Sequence, residues 1–243
     1  MLTEKIVLNS ERNVTLTTYI PDVSDEMSNM KVKPAVLIFP GGAYRFCSDR
    51  EAEPVALRYN ALGFNAFILR YSLNEDAAFP TPLNDACEAY NLILSKCDEW
   101  HTDPEKIAVC GFSAGGHLAA ALGTMGNPKP CACILGYPCI LDSTSPILAK
   151  PVPSLEKCVD ADTPPCFIFA AADDDLVPVE NSLEFASALS KNNVPFEMHI
   201  FQRGGHGFSC ADEVTMSHED SRAKCVPNRY WVNRSAEWLK ELN

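Results

Sequence analysis

A serine between glycines, a run of aspartates and a glycine-flanked histidine are the residues of this 243-residue chain whose types and order could do chemistry. The serine is Ser113, in Gly111-Phe112-Ser113-Ala114-Gly115, after the apolar run Ile107–Cys110 and before a helix-like stretch starting near Ala114. A serine in a tight strand-to-helix turn takes a strained backbone that projects its hydroxyl, and glycines two residues either side remove colliding side chains. Such a hydroxyl becomes a nucleophile when a base takes its proton and an acid orients the base. Downstream, the run Cys166–Ala171 leads into Asp173, Asp174 and Asp175, and the run Phe196–Phe201 leads into Gly204-Gly205-His206-Gly207. Ser, Asp and His thus follow one another, each after its own strand-like run. In that arrangement His206 takes the proton of Ser113 and returns it to a leaving alcohol, while one aspartate fixes the imidazole tautomer.

Acyl transfer also needs donors aimed at the developing oxyanion. Phe39-Pro40-Gly41-Gly42-Ala43-Tyr44 follows another buried-looking run, and its glycines let backbone N–H groups turn inward beside that of Ala114. The loop lacks the Lys-Ser/Thr successor and the GxGxxG spacing of a phosphate cradle. Of the remaining histidines, His117 reads as a packed or hydrogen-bonded support, His101 as exposed in a turn, His199 as part of a strand, and His218 as part of a polar loop.

The elements that must hold these residues can be read from hydrophobic period. Lys5–Leu8 and Val14–Ile20 form a hairpin pattern. From residue 35 onward apolar runs (35–39, 65–69, 107–110, 131–135, 166–171 and 196–201) alternate with stretches of three- and four-residue period. Those stretches are 51–62, 83–100, 114–125, 179–192 and 230–242. Runs that are apolar throughout predict strands buried on both faces, so the expected fold is α/β: a mostly parallel, doubly wound sheet after an antiparallel hairpin. No composition shift or linker marks a boundary, and one domain over residues 1–243 is expected.

Charge and cysteine usage bound the partners. The 32 Asp and Glu against 20 Lys and Arg, a net charge of −12, argue against nucleic acid and anionic membranes. The eleven cysteines are odd in number and irregularly spaced, several within apolar runs, which fits reduced packing thiols and a cytoplasmic setting. They offer no metal-ligand spacing, and no metal or other cofactor is expected. The N-terminal residues lack the apolar core of a signal peptide.

With these residues in place, the chain resembles the α/β-hydrolase superfamily, and most of all its small bacterial esterases of the acetyl-xylan-esterase type, related to hormone-sensitive lipase. The likeness spans Pro34 to Leu242. It rests on Pro40-Gly-Gly-Ala-Tyr44, Glu51-Ala-Glu-Pro-Val-Ala56, Gly111-Phe-Ser-Ala-Gly-Gly-His-Leu118, Asp174-Asp-Leu-Val-Pro178 and Gly204-Gly-His-Gly207. It implies Asp174 as the acid and Gly42, Ala43 and Ala114 as oxyanion donors. Pro40 and Ala43 depart from the His-Gly-Gly-Gly form, which a backbone donor tolerates.

The 22 residues Asp142–Thr163 are too few for a helical cap, so an open site and no cap domain are expected. That suits an acetylated sugar, a small-molecule or oligosaccharide ester, with Tyr44 and Arg45 near the substrate. A prolyl-peptidase-like amidase shares the fold and triad, and a noncatalytic binding protein of this fold would lack a triad member. The stretch Ser209–Pro227 is read as rimming the pocket, as a homodimer contact, or as a surface loop.

Overall fold

The computed structural model describes residues 1–216 and 226–242. Strands β1 (Lys5–Asn9) and β2 (Val14–Tyr19) pair antiparallel, and β2 lies antiparallel on β4 (Asn65–Arg70). The rest are β3 (Lys33–Phe39), β5 (Thr102–Phe112), β6 (Cys133–Gly136), β7 (Cys166–Ala171) and β8 (Phe196–Phe201). All parallel pairing lies among β3 to β8, and the sheet order is β1-β2-β4-β3-β5-β6-β7-β8. Among the described residues the sheet thus has eight strands, mostly parallel with an antiparallel start, the arrangement expected of an α/β hydrolase.

Both faces are covered. Alternate residues of one strand enter different cores: Leu37, Val109 and Leu135 pack with α2 (Thr81–Ser95), α3 (Ala114–Met125) and α4 (Glu180–Lys191). Their neighbours Ile38, Cys110 and Ile134 pack with α1 (Glu53–Ala61) and α5 (Trp231–Glu241). A side chain on either side of the pleat is therefore apolar, which is why these strands read as unbroken runs.

The chain leaves β3 through α1 toward β4, and leaves β5 through α3 toward β6 on the other side. The two connections diverge, and a crevice opens beyond the carboxyl ends of β3 and β5. The connection from β6 to β7 carries only two short 3-10 turns, Asp142–Ile147 and Leu155–Cys158, and no α-helix.

Two boundaries differ from expectation. β5 starts at Thr102, five residues before the apolar run, because Lys33 pairs with Thr102 across a register shift that polar residues occupy. β6 runs Cys133–Gly136, and Cys131, expected within it, is exposed before its start.

Candidate active site

Ser113 occupies the single residue between β5 and α3, with φ 53° and ψ −117°. Side chains avoid this region, so the turn must be held from outside. Its N–H donates to Gly136 O at 3.0 Å, and its carbonyl accepts the N–H groups of His117 and Cys139, each at 3.0 Å. The glycines are required by close approach: a Cβ on Gly111 would overlap the Gly115 carbonyl, and one on Gly115 would overlap that of Phe39.

The Ser113 hydroxyl lies 2.8 Å from Nε2 of His206, and Nδ1 of His206 lies 2.7 Å from Oδ2 of Asp174. Asp174 offers only acceptors to that contact, which places the imidazole proton on Nδ1 and leaves Nε2 to receive one. The other carboxylate oxygen of Asp174 accepts the N–H groups of Leu176 and Val177 at 3.0 and 2.9 Å, so the acid is held by its own turn. Its neighbours do other things. Asp173 accepts the Gly205 N–H at 2.8 Å, and Asp175 lines the cavity. Of the three aspartates, Asp174 is the one bonded to His206.

The loop after β3 lies against this turn. Gly42, Ala43 and Tyr44 follow one another with φ of 128°, 57° and 58°. A Cβ on Gly42 would overlap the Phe46 carbonyl, so glycine is needed there for space as well as for φ. The loop carbonyls are all taken: Pro40 O by the Tyr71 hydroxyl, Gly41 O by Ser48 N–H at 2.9 Å, and Gly42 O by Arg45 and Phe46 N–H at 2.9 and 3.2 Å. Among the described residues no protein acceptor meets the N–H groups of Gly42 and Ala43, and both residues line the cavity with Ser113 and His206. The Ala114 N–H belongs to the first turn of α3, where no intrahelical acceptor exists. That cavity is open and holds about 1240 Å³.

The expectation for Tyr44 is corrected. It is 1% exposed and turned away from the cavity, its hydroxyl donating to Nδ1 of His117 at 2.9 Å and its ring edge-on to Tyr71. A positive φ at Tyr44 carries the side chain inward, toward α3. Arg45 does line the cavity, but its guanidinium donates to Ile147 O and Leu148 O at 2.8 and 3.3 Å, tethering the β6–β7 connection. His117 is a support. Its Nε2 lies 3.1 Å from the Pro153 carbonyl, so Nε2 carries the proton and Nδ1 accepts from Tyr44. Burial pushes it down to about 4, partly offset by that carbonyl. Cys139 Sγ sits 3.8 Å from the Ser113 hydroxyl, and burial pushes its thiol up to about 12, so it stays protonated at neutral pH.

Sequence reasoning assigned no role to Glu51, Tyr137 or Phe46. Glu51 is 3% exposed; its carboxylate accepts the Gly41 N–H at 2.8 Å and the Tyr137 hydroxyl at 2.7 Å. A signal was present: in sequence Glu51 continues the four-residue spacing of Val55 and Tyr59, and a glutamate on a buried stripe needs donors, although the structure places it in the 3-10 turn Asp49–Glu51 ahead of α1. Tyr137 also meets the His206 ring edge-on, with centroids 5.2 Å apart. Phe46 is 59% exposed at the mouth of the cavity. Within Ser209–Pro227, residues 217–225, with His218 and Cys225, lie outside the described residues. The described start of that stretch packs inward: Ser209 N–H donates to the Tyr137 hydroxyl at 3.0 Å, and Asp212 pairs with Arg58 of α1.

Comparison with known proteins gives two family matches, BD-FAE over residues 21–147 and the prolyl oligopeptidase family over residues 148–223. Endo-1,4-beta-xylanase B of Butyrivibrio fibrisolvens is 34% identical over 230 residues, covering 82% of this chain. The chain spans 36% of that protein's length. Among solved structures, MGS-M1, an alpha/beta hydrolase enzyme from a Medee basin deep-sea metagenome library, superposes with a TM-score of 0.93. It is 46% identical over 100% of this chain and 98% of its own. The acetyl ester-xyloside bifunctional hydrolase of Caldicellulosiruptor lactoaceticus gives a TM-score of 0.82 at 32% identity, over 98% of this chain and 96% of its own.

Proposed function

The chain belongs to the BD-FAE family of α/β hydrolases, and we propose that it is a serine esterase cleaving short-chain, chiefly acetyl, esters on carbohydrate. One observation carries this reading: the Asp174–His206–Ser113 chain of hydrogen bonds, at 2.7 and 2.8 Å, ends in the same cavity as the Gly42–Ala43 loop. In the first half-reaction the Ser113 oxygen bonds the ester carbonyl carbon as its proton passes to Nε2 of His206. The carbonyl oxygen gains the negative charge, which the N–H groups of Gly42, Ala43 and Ala114 stabilise. The C–O bond to the alcohol then breaks, His206 returns the proton to the leaving oxygen, and an acyl-serine remains. Water, deprotonated by His206, attacks that acyl group, the bond to the Ser113 oxygen breaks, and His206 returns the proton to that oxygen, releasing the acid and the free serine. These steps draw on no metal or cofactor.

The carbohydrate assignment rests on the mouth. Phe46 and Leu176, 59% and 50% exposed, flank an opening that no helical insert between β6 and β7 covers. An exposed aromatic beside a wide opening suits a sugar ring, whose C–H faces pack on it. The described cysteines are unpaired, in keeping with a reducing cytoplasm.

The reading is tested with p-nitrophenyl acetate, p-nitrophenyl decanoate and acetylated xylo-oligosaccharides, on wild type and Ser113→Ala. Acetyl release that depends on Ser113 is expected. Faster cleavage of decanoyl than acetyl esters, or equal rates for the two proteins, would sink it. A second reading, peptide or amide cleavage, is favoured by the prolyl oligopeptidase match, which spans both Asp174 and His206. Peptide p-nitroanilides in the same assay separate the two.

A further inference from the structure

Glu51 is a buried carboxylate beside the nucleophile that the acyl-transfer steps leave without a part. We propose that it is a positioning residue that aims the oxyanion N–H groups of Gly42 and Ala43, an inference that rests on the serine-esterase reading. In a trans peptide the C=O and N–H point in opposite directions, so holding a carbonyl also aims the next N–H. Ser48 N–H on Gly41 O therefore sets the Gly42 N–H, and Arg45 and Phe46 N–H on Gly42 O set the Ala43 N–H. All these donors lie in residues 45–48, and the Glu51 N–H ties back to Ser48 O at 3.1 Å. The direction still open at Gly41 is its own N–H, and Glu51 Oε2 takes it at 2.8 Å. Residues 48 and 51 thus grip Gly41 by its carbonyl and its N–H.

The grip is applied where the loop meets the nucleophile. A Cβ built on Gly41 would stand 2.7 Å from Glu51 Oε2 and 3.1 Å from Ser113 Cβ. The other oxygen of Glu51 reaches the opposite wall: it accepts the Tyr137 hydroxyl, which accepts the Ser209 N–H and whose ring edge rests on His206. One carboxylate joins the oxyanion loop to the wall that carries the base. Both of its oxygens accept, from an N–H and an O–H, and an amide offers only one acceptor in their place.

The test compares wild type, Glu51→Ala, Glu51→Gln and Tyr137→Phe, with circular dichroism to confirm folding. Each is assayed for kcat and KM on p-nitrophenyl acetate and, by tryptophan fluorescence, for the Kd of phenylboronic acid. The boronic acid gains a bond from boron to the Ser113 oxygen, its proton passes to His206, and one boron-bound oxygen enters the hole. In Glu51→Ala we expect kcat to fall about ten- to a hundredfold with KM within about threefold, and boronate affinity to fall in step with kcat. Glu51→Gln recovers part of both, and Tyr137→Phe, which keeps the Gly41 contact, loses less than either. Should Glu51→Ala not fold, the graded losses in the other two variants carry the same test. The role is overturned if kcat and boronate affinity of the Glu51 variants stay within about twofold of wild type, or if kcat falls while boronate affinity does not. A wild type that binds boronate without cleaving acetyl esters removes the esterase reading, and the boronate series still decides the part played by Glu51.

Discussion

Acid should loosen this protein through His117, and the size of the effect follows from where the ring sits. The imidazole is fully buried beneath the nucleophile turn, between the Tyr44 hydroxyl, the Pro153 carbonyl and the Phe79 ring. Burial holds its folded value near 4, against 6.5 when exposed. Below about pH 6.5 the unfolded chain binds a proton that the folded chain refuses, so stability falls with pH until the folded ring also titrates near 4. At 1.36 kcal/mol per unit the whole effect is about 3 kcal/mol, and about 2 kcal/mol is lost between pH 7 and pH 5. Other groups titrate too, so the measurement is a difference: urea midpoints of wild type and His117→Gln at pH 7 and pH 5. The glutamine can donate to Pro153 and accept from Tyr44 but carries no titrating group. It should start less stable and lose about 2 kcal/mol less on acidification. Parallel losses in the two proteins would refute the reasoning.

Two further outcomes bear on the site itself. Asp174→Asn should lower kcat/KM on p-nitrophenyl acetate by about three to four orders of magnitude, because the amide favours the wrong imidazole tautomer. Asp173→Asn and Asp175→Asn should stay within about threefold of wild type, and an equal loss in all three would point to bulk charge instead. Phe46→Ala should reduce kcat/KM for acetylated xylo-oligosaccharides about three- to tenfold relative to ethyl acetate, the range of one aromatic packing contact. An unchanged ratio would remove Phe46 from sugar binding.

What could be read in advance follows from what fixes each feature. The doubly wound sheet was legible because strands buried on both faces must be apolar at every position. The helix α3 begins where expected because the glycines around Ser113 answer a packing need so severe that few alternatives fit. The alternation of strand and loop likewise placed the aspartates at 173–175 and His206 beyond the ends of neighbouring strands, and the family resemblance singled out Asp174 among them. Tyr44 was misread for a different reason. Its direction depends on three successive positive φ values, and a tyrosine beside a glycine pair looks the same whether it points into a cavity or beneath it. Glu51 escaped because its partners, Gly41 and Tyr137, lie 10 and 86 residues away, and only folding brings them together. The early start of β5 at Thr102 is set by backbone pairing with Lys33, to which side-chain type is nearly indifferent.

The rim of the cavity is stitched rather than hinged. Ala149 N–H donates to the Ala43 carbonyl at 2.9 Å, beside the Arg45 contacts to Ile147 and Leu148, and Lys150 pairs with Glu75 at 2.6 Å. The described part of the mouth, held this way, is expected to need no oil–water boundary to open it. Turnover should therefore follow the concentration of dispersed substrate, with no jump where that substrate begins to form droplets. Where the rim is stitched in this way, less ordering is needed when an ester arrives, and discrimination among esters is expected to follow the shape of the opening.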